Sequence, residues 1–216
     1  LPSILVGLGL ELGLDAETYT TITIPIGAFA PLFAAIALIA WMHGWKEVWA
    51  FIRSGFDFKV KPLYLALALI IPIIIHLISH YLASLLGFEV ANSLLPDDLS
   101  IPPIILAIPY FILMLFIGGG QEEYGWRGYA LDPMQQKFGT NIASLIIGFI
   151  WGLWHLPLWV MPGEPHSTYP YIACLMMTTS ISVVYSWLYN ASNQKLIVAL
   201  FFHAMSNTAA PLIPYL

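Results

Sequence analysis

Continuous apolar runs separated by short polar links set the pattern of this chain. Six runs, at about 24–43, 63–87, 101–119, 141–161, 170–189 and 196–214, are near the length that crosses a bilayer as a helix. They are continuous rather than alternating, which predicts helices and not the strands of a lumen-facing barrel. The first residues, LPSILVGLGLELGL, read as the end of a seventh span or as an interfacial segment. After the first run, WMHGWKEVWAFIRSGFDFKVKPL places Trp41, Trp45 and Trp49 on one helical face, which suits a helix lying in the membrane interface. No internal repeat is visible, which weakens a transporter built from two similar halves. The expected fold is all-α: one integral-membrane domain over 1–216, a bundle of six to eight transmembrane helices around an intramembrane polar cavity.

Composition agrees with that pattern. The chain has 216 residues, 59% of them hydrophobic and 9% charged, where a soluble domain carries about 25% charged residues. Eight Trp, eleven Tyr and twelve Phe suit aromatic belts at two interfaces. Only seven Lys and Arg are present and no basic face forms, so a nucleic-acid partner is not expected. By alternation of the six runs, Lys46, Arg53, Lys59, Lys61, Arg127, Lys137 and Lys195 all fall on one side, which should be cytoplasmic. Glu11, Asp15, Glu17, Glu89, Asp97, Asp98 and Glu164 fall on the other. Cys174 is alone in an apolar run and builds neither a disulfide nor a thiolate zinc site. Beginning on Leu and ending on PLIPYL, the chain reads as a trimmed piece of something longer, without a signal peptide.

Candidate chemistry lies where polar residues interrupt this pattern, since a charge at membrane depth costs about 3 kcal/mol or more unless paired or wetted. In GGGQEEYGWRGYALDPMQQ, taken as helical, Glu123 lies over Arg127 four residues on, the acid N-terminal as the pair prefers. Glu122 points about 100° away and is not neutralised by that pair. One reading is a salt bridge at the membrane edge beside a solvated Glu; the other is a structural clamp beside a free carboxylate aimed into a cavity. A carboxylate against apolar and aromatic walls holds a proton more tightly, which suits a general base. FIWGLWHLPLW places His155 within a span among Trp151, Trp154 and Trp159. FFHAMSNT sets His203 and Asn207 on one helical face. Each alone fits interhelical hydrogen bonding. Together, Glu122, His155, His203 and Asn207 from three segments are satisfied jointly if the helices converge on one wet pocket. His76 and His80, also four apart, are read as interhelical hydrogen bonding or cavity lining.

These segments resemble the CaaX protease and bacteriocin-processing superfamily, also called CPBP or Abi, which includes the type II CaaX prenyl endopeptidases. EEYGWRG resembles its EExxxR motif, WGLWHLP its FxxxH motif and HAMSN its HxxxN motif, in the family's order over about 118–208. One position departs: Trp151 stands where the pattern has Phe. The resemblance implies an intramembrane endopeptidase open to the cytoplasm, acting on membrane-associated or CaaX-type substrates that can be prenylated. It implies Glu122 as the carboxylate that activates water and His155 as a second catalytic-site residue. His203 and Asn207 would bind the scissile carbonyl or its oxyanion, with Glu123 and Arg127 in support.

No HExxH occurs, yet Glu122, His155 and His203 make a composition that can hold catalytic zinc. No obligatory metal is expected, and zinc is the alternative. The host is expected to be a prokaryotic plasma membrane. Two other functions compete: a membrane protein that binds a partner without turnover, of the immunity or scaffold kind, and a small transporter or proton relay.

Overall fold

The computed structural model describes residues 16–88, 103–161, 166 and 169–213, and among them the regular elements are all helical. Helix α1 (Ala16–Ala28) and α2 (Ala30–His43) are one apolar stretch bent by 41° at their junction. Pro31 opens α2, where its missing N–H costs no helical bond. The short α3 (Trp45–Ser54), long α4 (Pro62–Leu85) and α5 (Pro103–Phe116) follow. A π-helical turn, Tyr124–Ala130, runs into α6 (Leu131–Phe138). Helix α7 (Thr140–Trp154) tightens into a 3₁₀ turn at Leu156–Trp159, and α8 (Tyr171–Ala191) and α9 (Leu196–Leu212) complete the bundle.

The protein is an all-α integral membrane protein, with fewer long spans among the described residues than the six to eight predicted for the whole chain. Pro62–Leu85, Thr140–Trp159 and Tyr171–Ala191 are long and apolar enough to cross a membrane, and the bent α1–α2 pair makes a fourth. The runs predicted over 101–119 and 196–214 form shorter helices, Ile105–Phe116 and Leu196–Leu212. The first is cut short because the chain turns out of helix after Phe116. The second is apolar for a different reason: α9 lies at the centre, with Ile197, Val198, Ala199, Phe202 and Ala204 all buried in protein. Hydropathy does not distinguish a lipid-facing helix from one surrounded by its neighbours. The predicted seventh segment, residues 1–14, lies outside the described residues, as do most acids assigned to the non-cytoplasmic side.

Helix α7 shows how the lipid sorts side chains. Its large residues Ile142, Leu145, Phe149 and Leu153 face outward, while Ala143, Ile147, Gly148, Trp151 and Gly152 face in. Both faces are apolar, so polarity does not separate them; the inward face adds the small residues Ala143, Gly148 and Gly152 to Ile147 and Trp151. A Cβ on Gly148 would stand 2.6 Å from the Thr178 carbonyl oxygen and from Ser182 Cβ. Helices α7 and α8 thus meet almost at backbone contact, the small-residue packing that membrane bundles favour.

Helix α3 matches the interfacial reading. Val48 is buried, while Trp45 and Trp49, with Trp41 at the end of α2, are largely exposed. The Tyr124 hydroxyl donates to the Ile52 carbonyl at 2.8 Å, tying α3 to the π turn. Beyond α3, Lys195 pairs with Asp57 at the start of α9. The Lys195 ammonium, and then the Lys59 backbone N–H, hold the Asp57 carboxyl below the usual carboxylate range.

Candidate active site

Two consecutive glutamates enter the interior and receive different partners. Glu123 and Arg127 are both fully buried. Arg127 Nη1 donates to Glu123 Oε1 at 3.0 Å and Oε2 at 2.9 Å, and Nη2 donates to Ser182 Oγ at 2.8 Å. The guanidinium lies 4.3 Å from the Tyr185 ring centroid and 5.6 Å from that of Trp151, within reach of cation–π attraction. The predicted clamp is therefore present, with the same pairing although the turn is π rather than α. Extra residues of this kind widen a helix locally and often sit at functional sites.

Glu123 also holds an imidazole. His203 Nδ1 lies 2.8 Å from Glu123 Oε1. A carboxylate ion-paired to arginine can only accept, so Nδ1 carries the hydrogen and Nε2 is the working atom: a lone pair when the ring is neutral, a donor when it is protonated. His155 is fixed in the same sense, its Nδ1 2.8 Å from the Trp151 carbonyl, which also only accepts. His155 is half-buried and stands at the end of α7, where the helix tightens, within the span Thr140–Trp159 as predicted.

Glu122 takes no salt bridge. Its Oε2 accepts the indole N–H of Trp151 at 3.0 Å and that of Trp126 at 3.3 Å. Trp151 joins the cluster: its ring centroid lies 5.6 Å from that of His155 and 5.3 Å from that of His203. Asn207 donates from Nδ2 to the Gly118 carbonyl. Beside it, Gly119 has φ +125°, a left-handed conformation that favours glycine. A Cβ there would stand 2.5 Å from His203 Nε2 and 2.8 Å from Asn207 Nδ2. The turn at 118–119 thus presses its backbone directly onto the two side chains of α9.

The four predicted residues therefore gather in one cluster, around Trp151 and Gly119. One cavity, of about 320 Å³, is apolar and is lined by Trp126 with Pro31, Ala34, Leu38, Tyr129 and Trp154. Indole and imidazole rings fill the space between the polar groups. Of the buried polar side-chain atoms among the described residues, Arg127 Nε and Ser186 Oγ are sealed without a partner. Glu122 Oε1 is not so sealed and accepts no hydrogen bond from the described residues.

Glu122, His155 and His203 do not fit a zinc site as they stand. Among the described residues, no three His, Cys, Asp or Glu side chains are placed to hold a metal ion. His76 lies apart from the cluster and hydrogen-bonds the backbone at Ser206, the interhelical role read from its position. His80 meets the edge of the Tyr81 ring. Sequence reasoning missed the donor role of Trp126 and Trp151 and the contact made by Gly119. Trp126 was legible in principle, four residues after Glu122 as Arg127 is after Glu123. Trp151 lies 29 residues from Glu122, and only the fold brings its N–H there.

Comparison with known proteins agrees with this arrangement. Residues 104–209 match the family model for type II CAAX prenyl endopeptidase Rce1-like proteins. CAAX prenyl protease 2 of Methanococcus maripaludis is 25% identical over 201 residues, which cover 88% of this chain and 71% of that protein. Lysostaphin resistance protein A of Staphylococcus haemolyticus is 28% identical over 182 residues, and that of Staphylococcus epidermidis 30% over 180. These alignments cover 83% and 81% of this chain but only 46% and 43% of the staphylococcal proteins. The family match supports a membrane protease. Through residues 104–209 the chain belongs to the Rce1-like family of type II CAAX prenyl endopeptidases, and a protease family has a peptide or protein as its substrate class.

Proposed function

We propose that the protein is an intramembrane endopeptidase in which Glu122 activates water and His203 and Asn207 stabilise the oxyanion. The observation that carries this reading is the division between the two glutamates. Glu123 is consumed by Arg127 and His203, whereas Glu122 keeps one oxygen open beside two oriented imidazoles and a carboxamide. Glu122 Oε1 takes a proton from water as the hydroxide oxygen bonds to the scissile carbonyl carbon. The second hydrogen on Asn207 Nδ2, and His203 Nε2 when protonated, stabilise the oxyanion. The proton then passes to the leaving amine as the C–N bond breaks.

Substrates on this reading are peptides or protein termini at the membrane surface, including CaaX-type tails with or without a prenyl group. The basic residues gathered on one side favour a site open to the cytoplasm, in what this reading takes to be a prokaryotic plasma membrane. A peptide-library cleavage assay on the purified chain in proteoliposomes tests the activity. Asn207→Ala is expected to retain turnover reduced by about 10²–10³-fold, the effect of losing one oxyanion donor. Chelation is expected to leave the rate unchanged, because Glu122, His155 and His203 are not placed together as a metal-ligand set; a loss restored by added zinc would replace the proposed base with a metal-bound water. A partner-binding role without turnover is the second reading. Intact peptide bound and never cut would support it.

A further inference from the structure

Among the groups around Glu122, the two tryptophans have no place in the scheme above, although they make the only hydrogen bonds the Glu122 carboxylate has to the described residues. An indole carries a single N–H, with no rotor and no acceptor, so its direction is set entirely by ring packing. Trp151 is 5% exposed and wedged between Tyr185, His155 and His203. Trp126 is half-buried and packs against the two buried cores, one around Tyr124 and Leu200 and one around Trp151 and Phe202. The donors come from different elements, the π turn and α7, and meet at one atom.

Their convergence makes the carboxylate asymmetric. An ionised carboxylate has about four lone-pair sites, two on each oxygen. Both sites on Glu122 Oε2 are engaged by N–H donors, and those on Oε1 receive none from the described residues. The one arginine nearby is spent on Glu123 and Ser182. Glu122, 6% exposed, therefore depends on the indoles for hydrogen bonds from the protein to its charged form. Space-filling alone does not explain the donors. At position 151 the motif this segment resembles has Phe, which supplies a similar ring without an N–H.

We propose that Trp126 and Trp151 are positioning residues for the base: they tether Oε2, hold the carboxylate in one rotamer, and leave Oε1 as the oxygen that takes the proton from water. This inference rests on the reading of Glu122 as the base. The balance is that of the proposed hydrolysis. One O–H bond of water breaks, the proton goes to Oε1, and the oxygen's electron pair forms the bond to the carbonyl carbon. The indoles exchange no proton and touch no substrate atom.

The test uses the full chain in proteoliposomes with Trp151→Phe, Trp126→Phe, the double variant and Glu122→Gln. Each single Phe variant is expected to lower kcat by about 10-fold and the double by about 10²-fold, the scale of lost hydrogen bonds to a charged acceptor. KM should stay within about 2-fold, and the melting temperature should be nearly unchanged in Trp126→Phe, the less buried of the two. Indole nitrogen-15 labelling supplies a readout independent of turnover. The two indole proton resonances lost in the Phe variants are expected to move upfield together in Glu122→Gln, as a charge-assisted bond becomes a neutral one. Full kcat in both single variants would overturn the inference. So would indole resonances that ignore Glu122→Gln, or activity losses that merely follow the melting temperature. If Glu122→Gln hydrolyses peptide at the normal rate, the base assignment itself has failed. If Glu122→Gln is inactive while both Phe variants run at full rate, only the role given to the indoles has failed.

Discussion

Glu122→Gln is expected to lower peptide hydrolysis by about 10³–10⁴-fold, the upper range of what a positioned general base contributes, while the protein still folds. Glutamine has the shape of glutamate, and its amide oxygen can still accept from Trp151 and Trp126 at the distances seen for Oε2. No ion pair is lost, because Arg127 is bound to Glu123 and not to Glu122. What disappears is a basic oxygen at the open position. A cleavage assay beside a thermal melt separates the two quantities. A deep loss of turnover without a loss of melting temperature is the expected pair. It should also be deeper than the loss in Asn207→Ala, since one variant lacks the base and the other a single donor. Equal losses in the two would undo the division of labour.

Glu123→Ala is expected to have the largest effect on stability, about 3–5 kcal/mol, the cost of stranding one member of a buried ion pair. Arg127 would remain fully buried with only the Ser182 hydroxyl and two aromatic faces to receive its charge. His203 would lose the acceptor that fixes its Nδ1, so activity should fall even in molecules that fold. Chemical unfolding in detergent measures the first effect, and turnover per folded molecule the second. Glu122 and Glu123 are neighbours of the same type. Their variants should nevertheless fail differently, one in chemistry with the fold intact, the other in both.

The membrane class and the clamp were legible in the chain because both depend on local spacing. Apolar runs of bilayer length announce helices whatever their partners, and residues four apart meet on a helical face with no help from the rest of the fold. Glu123 and Arg127 obey that rule, as do Trp45 and Trp49, whereas the break at Gly44 puts Trp41 on the preceding helix. The number of spans was less legible. Leu196–Leu212 is as apolar as a lipid-facing helix because it is surrounded by α4, α5 and α8. The end of α5 was blurred by Gly118–Gly120, which local pattern allowed as a loosened helix and the structure resolves as a sharp turn.

By itself, the sequence determined that this is a helical membrane protein, that one glutamate is clamped and the next is not, and that a short list of polar residues must find partners away from lipid. Periodicity and the cost of bare charge in hydrocarbon are enough for those conclusions. Only the tertiary structure decided who the partners are. It gave His203 to Glu123, set two indoles on one oxygen of Glu122, and pressed Gly119 against α9. Those contacts join residues up to 89 positions apart. They follow from how closely α7, α8 and α9 pack, which depends on the shapes of facing side chains and leaves no periodic trace along the chain.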